Sequence, residues 1–172
     1  VIDELLENVS LDLIIGGPPC QAYSLVGRAC DSNKMLGDER NYLYKFYGEF
    51  LKRYQPKYFV FENVVGLLSA KDIHGRYYFH EMRKLFKELG YETEYRVLNA
   101  HDYGVLQARK RIILVGKRGS DTGFYPQLKI EIPHACVNEI FADLPVINAG
   151  EGSVWPCRTK KYSGQWLYDS GI

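Results

Sequence analysis

Two short, nearly continuous apolar runs, residues 11–15 and 57–61, set the terms for how this chain can fold. Runs of that kind suit parallel strands covered on both faces. Between them Leu43, Phe46, Tyr47, Phe50, Leu51 and Tyr54 recur at the spacing of one helical face, and Pro56 ends the helix. A second helical face, made by Tyr78, Met82, Leu85, Phe86 and Leu89, stops at Gly90, a residue suited to a helix C-terminus. Strands over residues 92–98 and 111–115 follow. Strand, helix, strand, helix, strand is the βαβαβ pattern of an open, mostly parallel α/β sheet with right-handed crossovers. Beyond Gly119 the pattern weakens into loops, one short helix near residues 137–144, and a tail interrupted by Gly and Pro.

Composition narrows the function classes. A chain of 172 residues, 46% hydrophobic and 25% charged, is ordinary for one soluble globular domain. No stretch approaches the roughly 18 apolar residues of a membrane span, and no signal-peptide pattern leads the chain. Cys20, Cys30, Cys136 and Cys157 form no CxxC pair, so a reducing cytoplasm is expected. The four histidines lie far apart, without metal-ligand spacing. A net charge of +1 is weak for a protein that grips a polyanion. However, Arg109, Lys110, Arg111, Lys117 and Arg118 cluster with no acid among them, and Arg158, Lys160 and Lys161 form a second cluster. Either cluster also fits a solvated face, so charge alone leaves the partner open.

The first strand breaks off in DLIIGGPPCQAYS, residues 12–24. Gly16 and Gly17 free the backbone, whereas Pro18 and Pro19 each hold φ at about −65° and lack an N–H donor. The turn is stiff and it ends on a thiol. Taken alone, it equally suits a tight connection carrying a half-buried structural cysteine. From Gln21 to about Glu39 no element is recognisable, and loops of that length in compact α/β domains serve as lids or binding loops. A second stretch, YFVFENV (residues 58–64), ends a buried strand on Glu62, where an unpaired carboxylate would be costly. A salt-bridged or solvent-facing strand end is the plain alternative. A third, LQARKRIILVG (residues 106–116), alternates long polar side chains into a strand, which is also how an edge strand is protected.

Ligands of open α/β sheets bind beyond the carboxyl ends of the strands. Cys20 follows one such strand and Glu62 ends the next. A strand that starts at Arg111 and runs antiparallel would begin at the same rim. Thiol, carboxyl and guanidinium would then surround one crevice beneath a long loop.

GGPPCQAYS, FENV and QARKR, in this order and with LNAHDYGVLQ ahead of the last, resemble the DNA cytosine-5 methyltransferases over roughly residues 11–117. The resemblance implies a Rossmann-like, S-adenosylmethionine-dependent α/β fold, incomplete here: the second half of a mostly parallel sheet with an antiparallel strand. On this basis residues 1–118 are the catalytic half and residues 119–172 open the target-recognition region. The family's Gly-rich first motif does not occur in the sequence, so a fragment of a larger enzyme is expected.

The resemblance also assigns roles. Cytosine carbon 5 is a poor nucleophile until a thiolate adds to carbon 6, and Cys20 takes that part. Thiolate is a small fraction of a free thiol at neutral pH, and neighbouring positive charge would raise it. Glu62 would bond to ring nitrogen 3 and the exocyclic amine, and the mechanism calls for burial around its carboxyl. Arg111 would contact the cytosine carbonyl oxygen and Arg109 a phosphate, suited by their fixed, permanently charged fork. The Pro18 carbonyl would face the exocyclic amine, with Gln21, Ser24, Asn63 and Gln107 also on the substrate side. Pro19 and Leu43 would line the methionine end of the S-adenosylmethionine site, and no metal is implied. Extruding the base from the duplex costs a few kcal/mol, which a closing loop could offset. Double-stranded DNA is the implied partner, with a cognate restriction endonuclease system and a prokaryotic cytoplasm as the setting. A tRNA-methylating branch shares PPC and ENV, although GVLQARKR favours DNA. Methyltransferases acting on exocyclic amines close their PP turn on an aromatic residue, where Cys20 stands here. A non-catalytic nucleic-acid-binding module is the remaining alternative.

Overall fold

Alternation along one strand, Tyr58–Val64, sends Phe59, Phe61 and Asn63 to one face and Tyr58, Val60, Glu62 and Val64 to the other. Both long helices pack on the first face. The computed structural model describes residues 2–6, 9–21, 23, 24, 29, 39–132 and 141. Its elements are α1 (Ile2–Leu6), β1 (Leu13–Gly16), α2 (Leu43–Tyr54), β2 (Tyr58–Val64), α3 (Tyr78–Glu88), β3 (Tyr91–Asn99) and β4 (Lys110–Arg118). Short 3-10 turns at Glu39–Tyr42, Val65–Leu68 and Ala100–Asp102 lead into α2, out of β2 and out of β3.

The core forms where aromatic rings of the helices meet Phe59 and Phe61. Tyr47 of α2 stands edge-on to Phe61, with centroids 5.4 Å apart, and Phe86 of α3 stands edge-on to Phe59 at 4.9 Å. Phe59, Phe61, Phe86 and Leu51 are fully buried, each worth roughly 1.5–3 kcal/mol of hydrophobic stabilisation. Gly90, in the left-handed region at φ 88°, ends α3 as its position in the sequence suggests.

The sheet order is β1-β2-β4-β3. β1 pairs parallel with β2, from Leu13 opposite Tyr58 to Gly16 opposite Phe61. β4 runs antiparallel to both neighbours, with Arg111 opposite Val64 and Leu98. Three strands therefore point one way, as expected of a mostly parallel sheet, yet two of the three pairings are antiparallel. The reason is that β2 and β3, consecutive through α3, are not neighbours: β4 returns between them.

Three further points differ from the sequence expectation. β2 runs two residues past Glu62, to Val64. Residues 2–6 form a short helix, which Asp3 ties to α2 by accepting from Arg53 Nε at 3.1 Å. Finally, among the described residues the elements packed on β1 and β2 cover one face. Leu13, Ile15 and Tyr58 are exposed, because α2 and α3 lie on one side only. On the other side the chain following β4 crosses β3. Glu94 accepts the backbone N–H groups of Gly123 and Tyr125, the latter at 2.9 Å, and Arg96 lies 4.7 Å over the Tyr125 ring. The expected helix near residues 137–144 and most of the long connection over residues 21–39 fall outside the described residues.

Candidate active site

β4 begins at the rim where β1 and β2 end, so its first residues meet the last of β2. Arg111 and Glu62 are diagonal neighbours on the open face, and Arg111 Nε donates to Glu62 Oε1 at 2.8 Å. Arg111 is 23% exposed and Glu62 41%. At that exposure the pair adds at most about 1 kcal/mol to stability, and its greater effect is to orient the carboxylate. The mechanism called for burial around Glu62. Instead the carboxylate is open to solvent on one side.

The turn after β1 lies against Glu62 and Asn63 of β2. A Cβ added to Gly17 would come within 2.8 Å of Glu62 Oε2, so a hydrogen at this position lets the backbone approach the carboxylate. The next carbonyl, that of Pro18, accepts from Asn63 Nδ2 at 3.2 Å. Asn63 is 1% exposed, and its Oδ1 accepts the backbone N–H of Val64 at 2.9 Å. Asn63, expected on the substrate side, is thus turned away from the open face. The two-residue period of the strand puts it opposite Glu62.

Cys20 follows two residues beyond Pro18 as a free, half-buried thiol. Its carbonyl accepts the N–H groups of both Tyr23 and Ser24 at 3.0 Å, which closes the turn immediately after the cysteine. Tyr23 is 2% exposed and its hydroxyl donates to the Asn41 carbonyl. Burial, reinforced by the neighbouring tyrosines, pushes that hydroxyl well above the usual tyrosine range, so it stays a neutral donor. Arg40 donates to Gln21 Oε1 at 2.7 Å. These contacts tie the segment ahead of α2 to the turn that carries exposed Pro19, and Leu43, which begins α2, is half-buried.

Gln107 and Arg109 are exposed on the segment entering β4, where the Arg109 carbonyl accepts the N–H of Ala100 at 2.9 Å. The structure therefore joins Glu62 with Arg111, Asn63 with Pro18, and Gln21 with Arg40. Sequence reading did not single out Gly17, Tyr23, Arg40 or Asn41 for these contacts. The signal available was an aromatic residue three positions after the cysteine, which no local rule distinguishes from a core residue.

A family model for the C-5 cytosine-specific DNA methylases matches residues 2–163. The chain belongs to this family. Among curated members it is 39% identical over 162 residues to the Type II methyltransferase M.Bpa9945I of Bacillus paralicheniformis, covering 83% of this chain and 34% of that protein. It is 40% identical over 148 residues to M.DdeI of Desulfomicrobium norvegicum, with the same coverages. The methylase-family chain thus spans about a third of the length of these relatives. Its fold matches a prophage-encoded DNA modification methyltransferase (E. coli) with a TM-score of 0.56 and 27% identity, over 85% of this chain and 39% of that one. The methyltransferase EhMeth of Entamoeba histolytica shares the fold at a TM-score of 0.53 and 20% identity, over 76% of this chain and 39% of the other. The α/β fold is therefore that of the C-5 methyltransferases. Among the described residues no helix is long and apolar enough to cross a membrane, and no group of three His, Cys, Asp or Glu side chains could hold a metal ion.

Proposed function

We propose that this chain is the catalytic segment of an enzyme that methylates carbon 5 of cytosine in double-stranded DNA, with Cys20 as nucleophile and Glu62 and Arg111 acting on the ring. The observation that carries the reading is the Arg111–Glu62 bond of 2.8 Å, set against Gly17 in the turn that leads to Cys20. A thiol-bearing turn, an oriented carboxyl and a guanidinium at one rim of the sheet suit activation of an electron-poor ring.

The Cys20 thiolate forms a bond to carbon 6, and the ring's electron pair moves toward carbon 5 and nitrogen 3. Glu62, carrying a proton, donates it to nitrogen 3 as charge builds there, accepts from the exocyclic amine, and takes the proton back when the adduct breaks down. Arg111 holds it in orientation and its remaining N–H groups reach the carbonyl oxygen. S-adenosylmethionine supplies, when bound, the electrophilic methyl group. Pro19 and Leu43 offer apolar surface to its methionine end, consistent with the contacts that draw the segment before α2 against the turn. Loss of the carbon 5 proton to a base then restores the ring double bond as the carbon–sulfur bond breaks. Gln21, Ser24, Gln107 and Arg109 contact DNA, and the Pro18 carbonyl takes the exocyclic amine. Residues 1–118 serve catalysis, and residues 119–172 open target recognition. The Type II names of the relatives favour a restriction-modification setting in a prokaryotic cytoplasm.

The test uses the complete enzyme carrying this chain, with S-adenosylmethionine and duplex DNA containing 5-fluorocytosine, from which the carbon 5 substituent cannot leave. A covalent protein–DNA adduct that disappears in Cys20→Ala is expected. Methylation of ordinary DNA undiminished in Cys20→Ala would overturn the assignment.

A further inference from the structure

We propose that Asn63 is a positioning residue: its side-chain amide fixes the turn that carries Cys20 and aims the Pro18 carbonyl at the base. The inference rests on the proposed cytosine chemistry and adds a part to it. Asn63 is 1% exposed, so its amide cannot meet a ligand in solvent, yet both of its polar ends are engaged. Oδ1 takes the Val64 N–H at 2.9 Å within its own strand, which locks the amide's orientation. Nδ2 then points at the Pro18 carbonyl 3.2 Å away, across from β2 to the turn after β1. A buried hydroxyl or amide keeps its geometry because leaving it unpaired is costly.

This bond ties the turn to β2. Pro18 and Pro19 have no N–H, so neither can anchor itself to β2 as a donor. The carbonyl of Pro18 has two lone pairs, of which Asn63 uses one. The other remains for an amine on the base, and its direction is set by the same contact. Because Gly17 already abuts Glu62 Oε2, the Asn63 bond fixes the distance between the cysteine turn and the carboxyl from the opposite side of the strand.

Asn63→Asp separates this role from a purely structural one. It keeps shape and the acceptor for Val64, but an ionised carboxylate cannot donate to Pro18, whereas a protonated one can. In the complete enzyme, adduct formation with 5-fluorocytosine DNA in a single turnover is expected to slow by on the order of 10²-fold with DNA affinity largely kept, while the melting temperature falls because a buried carboxyl then faces the Pro18 carbonyl. The ratio of variant to wild-type rate should rise as pH falls, because protonating the introduced carboxyl restores the donor. Exchange of the Tyr23 and Ser24 amides, which donate to the Cys20 carbonyl, should quicken in the variant whatever the chemistry. An unchanged rate or unchanged amide exchange overturns the role of Asn63. A wild-type enzyme that forms no adduct counts against the covalent reading alone, and amide exchange then still decides Asn63. Where Asn63→Asp does not fold, Asn63→Ser, smaller and neutral, is read by the same two measurements.

Discussion

Replacing Gly17 by alanine should leave the protein folded and cripple the chemistry. The added Cβ would lie 2.8 Å from Glu62 Oε2, about 0.6 Å short of ordinary van der Waals contact. The nearest backbone atom, the Glu62 carbonyl oxygen, is 3.5 Å away and needs no adjustment. Only the carboxylate has to move, but Arg111 holds its other oxygen at 2.8 Å, so relief means rotating the group and straining that bond. Since both partners are partly exposed, the strain costs at most about 1 kcal/mol. Gly→Ala at a φ open to alanine returns about 0.4–1 kcal/mol by restricting the unfolded chain. The two effects nearly cancel, and the melting temperature should shift by no more than about 3 °C. A carboxylate displaced by a fraction of an ångström to about 1 Å loses its alignment with the ring, worth on the order of 10²-fold in rate. Thermal melting and single-turnover methylation by the complete enzyme read the two quantities separately. A rate within about threefold of wild type, with the melt unchanged, would refute the claim that Gly17 exists to admit Glu62.

Further outcomes follow from the same geometry. Gly116→Ala would place a Cβ 1.9 Å from the fully buried Phe59 ring, which Phe86 and Tyr91 hem in, and should cost about 3 kcal/mol in denaturant unfolding; a loss under about 0.5 kcal/mol would contradict the packing. Arg111→Lys keeps the charge but not the fork, so single-turnover rate should fall at least about tenfold with DNA affinity little altered, and an equal rate would remove Arg111 from the chemistry. The backbone N–H of Tyr125, then those of Gly123 and Phe124, hold Glu94 below its ordinary value of 4.5. A depressed carboxylate stabilises above its unfolded pKa and stops doing so as pH falls through the folded one. Amide protection at Gly123 and Tyr125 should therefore be full near neutrality, decline below about pH 4.5, and be lost at every pH in Glu94→Ala. Protection that persists in Glu94→Ala would show that another contact holds this segment.

Local rules made much of this protein readable in advance. The stop at Pro56, the glycine after α3 and the short apolar strands are each decided by neighbours a few residues apart, so the sequence alone shows them. The face of α2 is only half legible that way: Tyr47 and Leu51 are buried as expected, but Phe46 and Phe50 are exposed and Tyr44 and Gly48 are buried in their place, because the angle at which the helix meets the sheet sets the buried stripe. The same holds for the stiff turn after β1 and for the places of Cys20 and Glu62 relative to the strands that precede them, whereas Arg111 reaches that rim only because β4 runs antiparallel beside β2, a matter of sheet assembly. What tertiary structure decided are pairings between distant residues. β4 inserts between β2 and β3, separating strands that are consecutive in the chain, and only that insertion sets Arg111 diagonal to Glu62. Asn63 and Glu62 are adjacent in sequence, yet the pleat sends one to the helices and the other to the open face. The bond from Asn63 to Pro18 spans 45 positions, and no periodicity within either segment encodes it.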